Sequence, residues 1–252
     1  MNKIYFAIAI LAILLGGYFG LSFWSQDNRY EQYVITESLR LDPYELKAYP
    51  SQPDMSKRDL NKPLVVFFGD SRATAWTAIA DNTSFEFINR GIDGQTTNQV
   101  LGRVSTHVAT LSPNIVVVQV GVNDLGRIAS FPNESRNIIS NCKQNIQKIV
   151  DKLAKELQVT VILTTIFPTA ESLQAPWSND LDLAIIEVNQ FIKSLSSDRV
   201  GDRVIIMDAA MLLADERGKV RQIYSRDFLH LNEVGYTMLN DELSKILTDQ
   251  VR

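Results

Sequence analysis

The chain has 252 residues, a formal net charge of −4 and 45% hydrophobic residues, which suits one globular domain of about 190 residues plus an appendage. Lysine and arginine are scattered along the chain, which argues against nucleic acid as a partner because phosphate neutralisation needs a dense basic surface. A single cysteine, Cys142, and two histidines, His107 and His230, exclude an internal disulfide framework, a multi-cysteine zinc site and a histidine-rich metal centre.

The amino-terminal segment is strongly apolar, with no charge in the 21 residues from Ile4 to Trp24. A helix of that length spans about 30 Å, the thickness of the hydrocarbon core of a bilayer. Lys3 precedes the run, which favours an amino terminus in the cytoplasm and export of the rest, to the periplasm or the outside. We therefore predict a transmembrane anchor over residues 1–24. A cleaved signal peptide is the alternative, although its apolar core usually runs only about 7–15 residues.

Residues 25–62 are polar and contain Pro43, Pro50 and Pro53. The stretch Arg29–Leu41 has some helical periodicity, which the following Asp-Pro pair ends because the residue before a proline disfavours the helical conformation. We interpret residues 25–62 as a spacer that packs at the edge of the next domain.

From residue 63 to the carboxyl end, short β-branched runs alternate with amphipathic stretches. The predicted strands are Leu64–Phe68, Phe85–Asn89, Ile115–Val120, Val159–Thr165 and Val204–Met207. The predicted helices are Ala73–Ala80, Thr97–Leu111, Glu134–Leu157, Asp180–Leu195 and Glu233–Leu247, the last capped by Asn232. Strand–helix alternation predicts one doubly wound α/β domain over residues 63–252, with a parallel sheet covered on both faces. Ligands of such sheets bind beyond the carboxyl ends of the strands.

A serine follows the first predicted strand, in the sequence Gly69-Asp70-Ser71. At a strand-to-helix turn its hydroxyl is exposed, and the nearby helix amino terminus favours a developing negative charge. The alternative is that Ser71 only caps the helix, a role that serine often has. The tripeptide by itself does not separate a nucleophile from a cap.

Two further loops carry groups that suit an anionic ligand. After the second strand, Gly91 and Gly94 permit a tight turn and a close approach of the backbone, without the spacing of a dinucleotide site. After the third strand, Asn123 can donate a hydrogen bond to an oxyanion without titrating, or can cap the next helix. Asp70, Asp93 and Asp124 resemble metal ligands, but we interpret them as acceptors of turn N–H groups.

The fourth loop, just before the last predicted helix, contains Asp227 and His230. Two residues separate them, so a turn can place the carboxylate on one ring nitrogen and leave the other free to take a proton from a serine. A lone histidine is more often structural. That interpretation applies to His107, inside a predicted helix, and similarly to Cys142, which we interpret as a packed side chain.

Together these segments resemble the four sequence blocks of the SGNH (GDSL) hydrolase family, whose letters stand for Ser, Gly, Asn and His. The matching segments are GDS at 69–71, the turn with Gly94, GVND at 121–124 and DFLH at 227–230, and HLNEVGY at 230–236 is similar to the family's last block. The resemblance implies a flavodoxin-like three-layer α/β/α fold with a five-stranded parallel sheet. It also implies a serine esterase, lipase, thioesterase or carbohydrate deacetylase with no metal or organic cofactor.

Carried over residue by residue, the resemblance implies that Ser71, Asp227 and His230 are catalytic and that Ser71, Gly94 and Asn123 form an oxyanion hole. Ile166, Phe167 and Phe228 are candidate walls of the acyl pocket. The chain departs from the family at Arg72, where a small or aliphatic residue is usual, and this leaves the polarity of the acyl site open.

The expected substrate is an acyl ester of a small molecule, glycan or lipid. The acyl chain is expected to be short, such as acetyl, because no long apolar lid is evident. The alternatives are an exported O-acyltransferase acting on a glycan, a lysophospholipase or thioesterase, and a catalytically silent binding domain. A metal phosphoesterase is disfavoured by the shortage of histidines.

Overall fold

The computed structural model describes residues 42–50, 54, 56, 58–76, 84–171, 178–198 and 203–250. The predicted anchor at 1–24 and the stretch of helical periodicity at 29–41 lie outside them. The compact unit that contains the sheet begins at Tyr44. Within the described ranges, no helix combines the length and the apolarity needed to cross a membrane.

The sheet has five parallel strands in the order β2-β1-β3-β4-β5. The strands are β1 (Leu64–Gly69), β2 (Glu86–Gly91), β3 (Ile115–Gln119), β4 (Thr160–Thr164) and β5 (Val204–Met207). This order is that of flavodoxin-like folds, as expected. In the register, Gly69 lies opposite both Gly91 and Gln119, so the carboxyl ends of the three neighbouring strands are level.

Helices cover both faces of the sheet, which explains the continuously apolar strands. Along β1, Leu64 and Val66 face one apolar cluster, and Val65 and Phe67 face the other. The helices are α1 (Ser71–Thr74), α2 (Thr97–Gly102), α3 (Val104–His107), α4 (Val122–Leu125), α5 (Ser135–Asp151), α6 (Ser178–Asp198), α7 (Ala209–Leu213) and α8 (Glu233–Asp249). The first cluster includes residues of α2, α5 and α6 and the second includes residues of α7 and α8, giving three layers.

The helix predicted over 97–111 is interrupted. α2 ends at Gly102, α3 follows after Arg103, and a 3₁₀ turn completes the segment at Ala109–Leu111. Glycine weakens a helix interior. Here it also admits the ring of Tyr44, because a Cβ at position 102 would lie 2.4 Å from a ring carbon. The helix predicted over 97–111 is therefore interrupted at Gly102, where Tyr44 packs against it.

The helices predicted over 134–157, 180–195 and 233–247 agree with the structure apart from their ends. α5 continues into a π-helical turn at Lys152–Glu156. The helix predicted over 73–80 is shorter and starts earlier: α1 begins at Ser71, two residues before the predicted start, and ends at Thr74. Ala75 and Trp76 are not helical, and residues 77–80 lie outside the described ranges. At α8 the predicted cap is confirmed, because the Asn232 side chain accepts a hydrogen bond from the Gly235 N–H at 3.0 Å.

Part of the segment predicted as a spacer packs against the sheet edge. The Tyr49 hydroxyl donates to the Gly91 carbonyl at 2.6 Å. The rings of Tyr49 and His107 pack edge to face, with 5.2 Å between their centroids. Nε2 of the buried His107 lies 3.1 Å from the Leu46 carbonyl oxygen. His107 therefore holds a loop, in keeping with its structural interpretation.

Candidate active site

The nucleophile loop begins where β1 must turn sharply. Gly69 has φ +154°, and a Cβ there would lie 1.7 Å from the carbonyl oxygen of Gln119 on β3. Only glycine allows this approach. The next N–H, of Asp70, then donates to the same Gln119 oxygen at 3.2 Å. The chain consequently leaves the sheet directly above its carboxyl edge and enters α1.

Asp70, and not Ser71, caps helix α1. One carboxylate oxygen of Asp70 accepts the Arg72 N–H at 2.9 Å. Ser71 is the first residue of the helix, so its own N–H has no acceptor within the helix. The alternative that Ser71 serves as the cap is therefore wrong. Its half-buried hydroxyl instead contacts His230, with 3.1 Å between Ser71 Oγ and His230 Nε2.

The imidazole of His230 is held from its other side by Asp227. Nδ1 of His230 lies 3.0 Å from each carboxylate oxygen of Asp227. Asp227 Oδ1 also accepts the N–H groups of Leu229 and His230, each at 2.8 Å. A serine hydroxyl, an imidazole and a carboxylate thus form one hydrogen-bonded chain, the arrangement required to activate a serine as a nucleophile.

The charge state of Asp227 follows from these contacts. Partial burial alone would raise its pKa. The hydrogen bonds from the N–H groups of Leu229 and His230 and from the imidazole outweigh that effect and lower the pKa of Asp227 to about 2. The carboxylate is therefore ionised at neutral pH and can stabilise an imidazolium.

The loops after β2 and β3 meet each other at the carboxyl end of β1. The Ile92 N–H donates to the Gly69 carbonyl at 3.0 Å, and Gly94 has φ +74°, a conformation that favours glycine. Asn123 Nδ2 donates to the carbonyl of Gln95, the residue after Gly94, at 3.0 Å. An amide nitrogen carries two hydrogens, so Asn123 retains a second donor. The structure thus brings the Gly94 turn and the Asn123 amide to the carboxyl edge where Ser71 lies.

The buried Asp124 fixes the loop that carries Asn123. Its two oxygens accept the Thr97 N–H at 2.8 Å and the Thr97 hydroxyl at 2.6 Å. Burial raises the pKa of Asp124 to about 6, and the Thr97 hydrogen bonds oppose that rise. Asp124 and Asp70 thus each accept the main-chain N–H of a residue in the first turn of a helix, Thr97 in α2 and Arg72 in α1, where the sequence predicts N–H groups of turns. The same interpretation of Asp93 stays a prediction.

Comparison with known proteins identifies the family of the chain. The model of the GDSL-like lipase/acylhydrolase family matches residues 59–238. The chain belongs to this family. It is therefore an acylhydrolase, an enzyme that hydrolyses ester bonds. No curated protein matches the sequence.

Solved structures share the fold of this acylhydrolase. A GDSL-like lipase from Bacteroides thetaiotaomicron VPI-5482 has a TM-score of 0.61 at 23% identity, over 84% of this chain and 100% of its own. An acetyl xylan esterase has a TM-score of 0.57 at 25% identity, over 73% of this chain and 98% of its own. A catalytic mutant of an acetylxylan esterase from Geobacillus stearothermophilus has a TM-score of 0.55 at 16% identity, over 73% and 93% of the two chains.

Two residues predicted as pocket walls in the acylhydrolase are packed in its core. Ile166 and Phe167 are both fully buried. Ile166 lies against Gly121, and the Phe167 ring lies 6.1 Å from the ring of Trp76. Neither side chain presents a surface to a substrate, so the expectation that they line the acyl pocket is not supported. Phe228, the third candidate, is partly buried against the core.

A polar cavity of about 360 Å³ lies beside the loop of Asp227 in the acylhydrolase. Its lining consists of Ala170, Glu171, Asp215, Arg217, Val220, Gln222 and Ser225. Ser225 belongs also to the Asp227 loop, because its hydroxyl donates to the Asp227 carbonyl at 2.7 Å. Charged and amide side chains around a cavity suit a hydroxyl-rich ligand better than an acyl chain.

A hydrogen-bond network that the sequence does not predict lies behind the predicted oxyanion loop. Arg103 is fully buried, and it donates to the Gln95 side-chain oxygen at 2.5 Å and to the Gly69 carbonyl at 2.7 Å. Gln95 Nε2 in turn donates to the Tyr44 carbonyl at 3.2 Å. An arginine inside a predicted amphipathic helix is ordinarily solvent-exposed, so nothing in the sequence indicated that Arg103 is buried.

Asp70 gives the acylhydrolase a predictable dependence of stability on pH. Burial raises the pKa of Asp70 to about 7, against the opposing effect of Arg72. Between about pH 4 and pH 7 the folded state therefore keeps a proton that the unfolded state has lost, and this group's contribution to stability declines as pH rises. Asp70→Asn keeps the capping oxygen and does not titrate. We expect it to raise the free energy of unfolding at pH 8 by on the order of 1–4 kcal/mol.

The measurement is denaturant unfolding from pH 4 to pH 8. Asp70→Asn should flatten the pH profile relative to wild type. Asp93→Asn, at an exposed aspartate in the neighbouring loop, is the matched control and should leave the profile unchanged. Parallel profiles for wild type and Asp70→Asn would show that Asp70 is already ionised in the folded protein at pH 4.

Proposed function

We propose that the protein hydrolyses short acyl esters, with Ser71 as nucleophile, His230 as general base and Asp227 as the group that orients the imidazole. The observation that carries the proposal is the 3.1 Å contact between Ser71 Oγ and His230 Nε2, with the Asp227 carboxylate on Nδ1. The carboxylate fixes the tautomer in which Nε2 is unprotonated and can accept the serine proton.

In the first half of the reaction, Ser71 Oγ attacks the ester carbonyl carbon while His230 Nε2 takes the hydroxyl proton. The tetrahedral intermediate collapses when the bond to the alcohol oxygen breaks, and His230 returns the proton to that oxygen. In the second half, water attacks the acyl-serine, and His230 accepts its proton and passes it to Ser71. The ionised Asp227 favours the imidazolium formed in each half.

The negative oxygen of each intermediate needs fixed donors. We assign this role to the N–H groups of Ser71 and Gly94 and to the Asn123 side-chain amide. The Ser71 N–H is the first of helix α1 and has no intrahelical acceptor, and the bond from Asn123 to Gln95 places its amide beside the Gly94 turn. These three donors come from the loops after β1, β2 and β3.

Replacing the one side-chain donor tests the oxyanion assignment. We expect Asn123→Ala to lower kcat by about 10²–10³, because a preorganised donor acts mainly on the transition state. KM should change little. Steady-state kinetics with p-nitrophenyl acetate measures both constants.

Asn137→Ala, at an exposed asparagine on α5, is the matched control and should keep the wild-type kcat. Unchanged turnover in Asn123→Ala, with an unchanged circular dichroism spectrum, would remove Asn123 from the oxyanion hole.

We propose an acetyl ester on a glycan as the substrate class. Two of the similar solved structures are described as acetylxylan esterases. The polar cavity beside the Asp227 loop offers charged and amide groups to a hydroxyl-rich alcohol. Both observations favour a short acyl group on a polar alcohol over a long-chain lipid.

A chain-length series tests this proposal on the wild-type enzyme. We expect kcat/KM to be highest for p-nitrophenyl acetate and to fall steadily through butyrate, octanoate and palmitate, with acetate released from acetylated xylan. A profile that rises toward octanoate or palmitate would contradict the short-chain assignment. Transfer of the acetyl group to added oligosaccharide in place of water would identify an O-acyltransferase.

We further propose that residues 1–24 anchor the enzyme in a membrane, with the catalytic domain exported. The support is the uncharged run from Ile4 to Trp24, with Lys3 before it. The full chain should remain in the membrane fraction after washing with alkaline carbonate. Recovery of the enzyme in the soluble fraction, with a new amino terminus after residue 20, would instead indicate a cleaved signal peptide.

A further inference from the structure

Arg72 follows the proposed nucleophile directly, yet its side chain points away from solvent. It is fully buried, although it belongs to a helix of only four residues. Burial lowers the pKa of Arg72 to about 10, so the guanidinium still carries its charge at neutral pH. A buried charge is costly unless hydrogen bonds satisfy it, so its partners indicate what it holds in place.

Every direct acceptor of the guanidinium in the described part of the chain is a main-chain carbonyl. Nε donates to Leu229 at 3.0 Å, Nη1 to Phe167 at 2.8 Å and Nη2 to Pro168 at 3.4 Å. The Phe167 ring also lies 5.2 Å from the guanidinium carbon. One planar group thus joins two loops that are far apart in the sequence.

Both of these loops support the imidazole. Leu229 immediately precedes His230. The Phe167-Pro168 loop continues to Ala170, whose N–H donates to the Phe228 carbonyl at 2.9 Å. The guanidinium therefore holds the histidine loop directly through Leu229 and indirectly through the loop after β4.

The main chain of Arg72 is fixed as well. Its N–H donates to Asp70, and its carbonyl accepts the Tyr236 hydroxyl from α8 at 2.9 Å. The main chain of Arg72, beside Ser71, is thus held by Asp70 and Tyr236. The side chain of Arg72 in turn holds Leu229, beside His230. We propose that Arg72 is a positioning residue that sets the distance between Ser71 Oγ and His230 Nε2. This inference rests on the proposed function.

Arginine suits this role for a geometric reason. The guanidinium presents several donors in a rigid plane, which can reach three carbonyls that diverge from one another, whereas lysine offers one compact charge. A buried apolar residue would leave the three carbonyls without this donor. The proposal also resolves the departure from the family pattern, because a buried guanidinium does not change the polarity of the acyl site.

A positioning role and a purely structural role predict different kinetics. A side chain that only stabilised the fold would affect turnover in proportion to the fraction unfolded. A side chain that sets the geometry of Ser71 and His230 should lower kcat in fully folded protein and leave KM unchanged. A misplacement of about 1 Å in reacting groups can cost about 10²-fold in rate.

The experiment compares Arg72→Met, Arg72→Lys and Leu243→Ala in the full chain, each well below its Tm. Leu243 is a fully buried core residue on α8 and serves as the matched stability control. We expect kcat to fall about 10²-fold in Arg72→Met and about 10-fold in Arg72→Lys, with KM unchanged. Labelling by a fluorophosphonate should slow in parallel. Leu243→Ala should lower Tm and keep the wild-type kcat.

A spectroscopic measurement separates this inference from the proposed function. The chain has two histidines, so the imidazole NMR signals can be assigned simply. Wild type should show a downfield Nδ1–H proton of His230, bonded to Asp227, and Arg72→Met should weaken or shift it. If Arg72→Met does not fold, Arg72→Lys supplies the same comparison.

Folded Arg72 variants with wild-type kcat and an unchanged His230 signal would overturn the positioning role. A fall in kcat no larger than that of Leu243→Ala at equal distance from Tm would also overturn it. A wild-type protein that shows the His230 signal but neither hydrolyses esters nor reacts with a fluorophosphonate would contradict the proposed function instead.

Discussion

Ser71→Ala should lower kcat for p-nitrophenyl acetate by about 10⁶, leaving only the rate supplied by binding and the oxyanion donors. The reason is that the substitution removes the atom that forms the acyl-enzyme, and neither Asp227 nor His230 can replace it. The fold should be unaffected, because Asp70 and not Ser71 caps helix α1. The half-buried Ser71 hydroxyl loses only its contact with His230. Steady-state kinetics and thermal unfolding, on the same preparation, check the two halves of the prediction.

A control substitution at a second serine separates the effect of losing the Ser71 hydroxyl from the effect of losing any serine hydroxyl. Ser140 is exposed on α5, and Ser140→Ala should keep wild-type turnover and wild-type labelling by a fluorophosphonate. Labelling should disappear in Ser71→Ala. Stoichiometric labelling or wild-type turnover in Ser71→Ala would end the assignment of Ser71 as the nucleophile.

The sheet could be predicted because it is buried on both faces. Strands β1 and β3 are covered by helices on each side, so nearly every residue in them is apolar and the runs stand out in the sequence. The predicted β1 and β3 each differ from the structure by one residue at the carboxyl end, and the predicted β4 by one residue at each end. β2 is shifted further, to Glu86–Gly91, because this edge strand is only partly buried and its composition gives a weaker signal.

The proximity of the reactive groups could be predicted from topology, but their separations could not. Ser71 and His230 are 159 residues apart in sequence, and the rule that ligands bind beyond strand carboxyl ends placed both at one edge. The contact between Asp227 and His230 is local and follows from their spacing. The 3.1 Å distance from Ser71 to His230 depends on packing around Arg72, which no sequence pattern records. The catalytic roles themselves stay predictions until the variants are measured.

The features that differ from the sequence-based expectations share one physical cause. Tertiary packing decided which of these side chains are buried. Arg72 and Arg103 are charged residues in short or predicted amphipathic helices, where exposure is the ordinary expectation, yet both are fully buried. Ile166 and Phe167 are apolar residues next to a site, where a pocket wall is an equally ordinary expectation, yet both face the core. Residue type fixes what a side chain can do, and the neighbouring elements decide whether a substrate can reach it.

His230→Ala should lower kcat by about the same factor as Ser71→Ala, about 10⁶, since a serine hydroxyl without a base is a poor nucleophile at neutral pH. His230 is only partly buried, so its removal leaves a space that solvent can reach. Added imidazole should enter that space and restore part of the rate in His230→Ala, and it should restore nothing in Ser71→Ala. The measurement is turnover of p-nitrophenyl acetate with increasing imidazole, corrected for the reaction that imidazole catalyses without enzyme.

The double variant Ser71→Ala/His230→Ala gives the sharper result. Groups that act as one unit are strongly non-additive, so the double variant should be no slower than either single one. If the two side chains contributed independently, their losses would multiply to about 10¹², far below any measurable rate and below the uncatalysed background. A double variant clearly slower than both singles would mean that each residue retains catalysis in the absence of the other. Ser71 and His230 would then not act through the hydrogen bond between them.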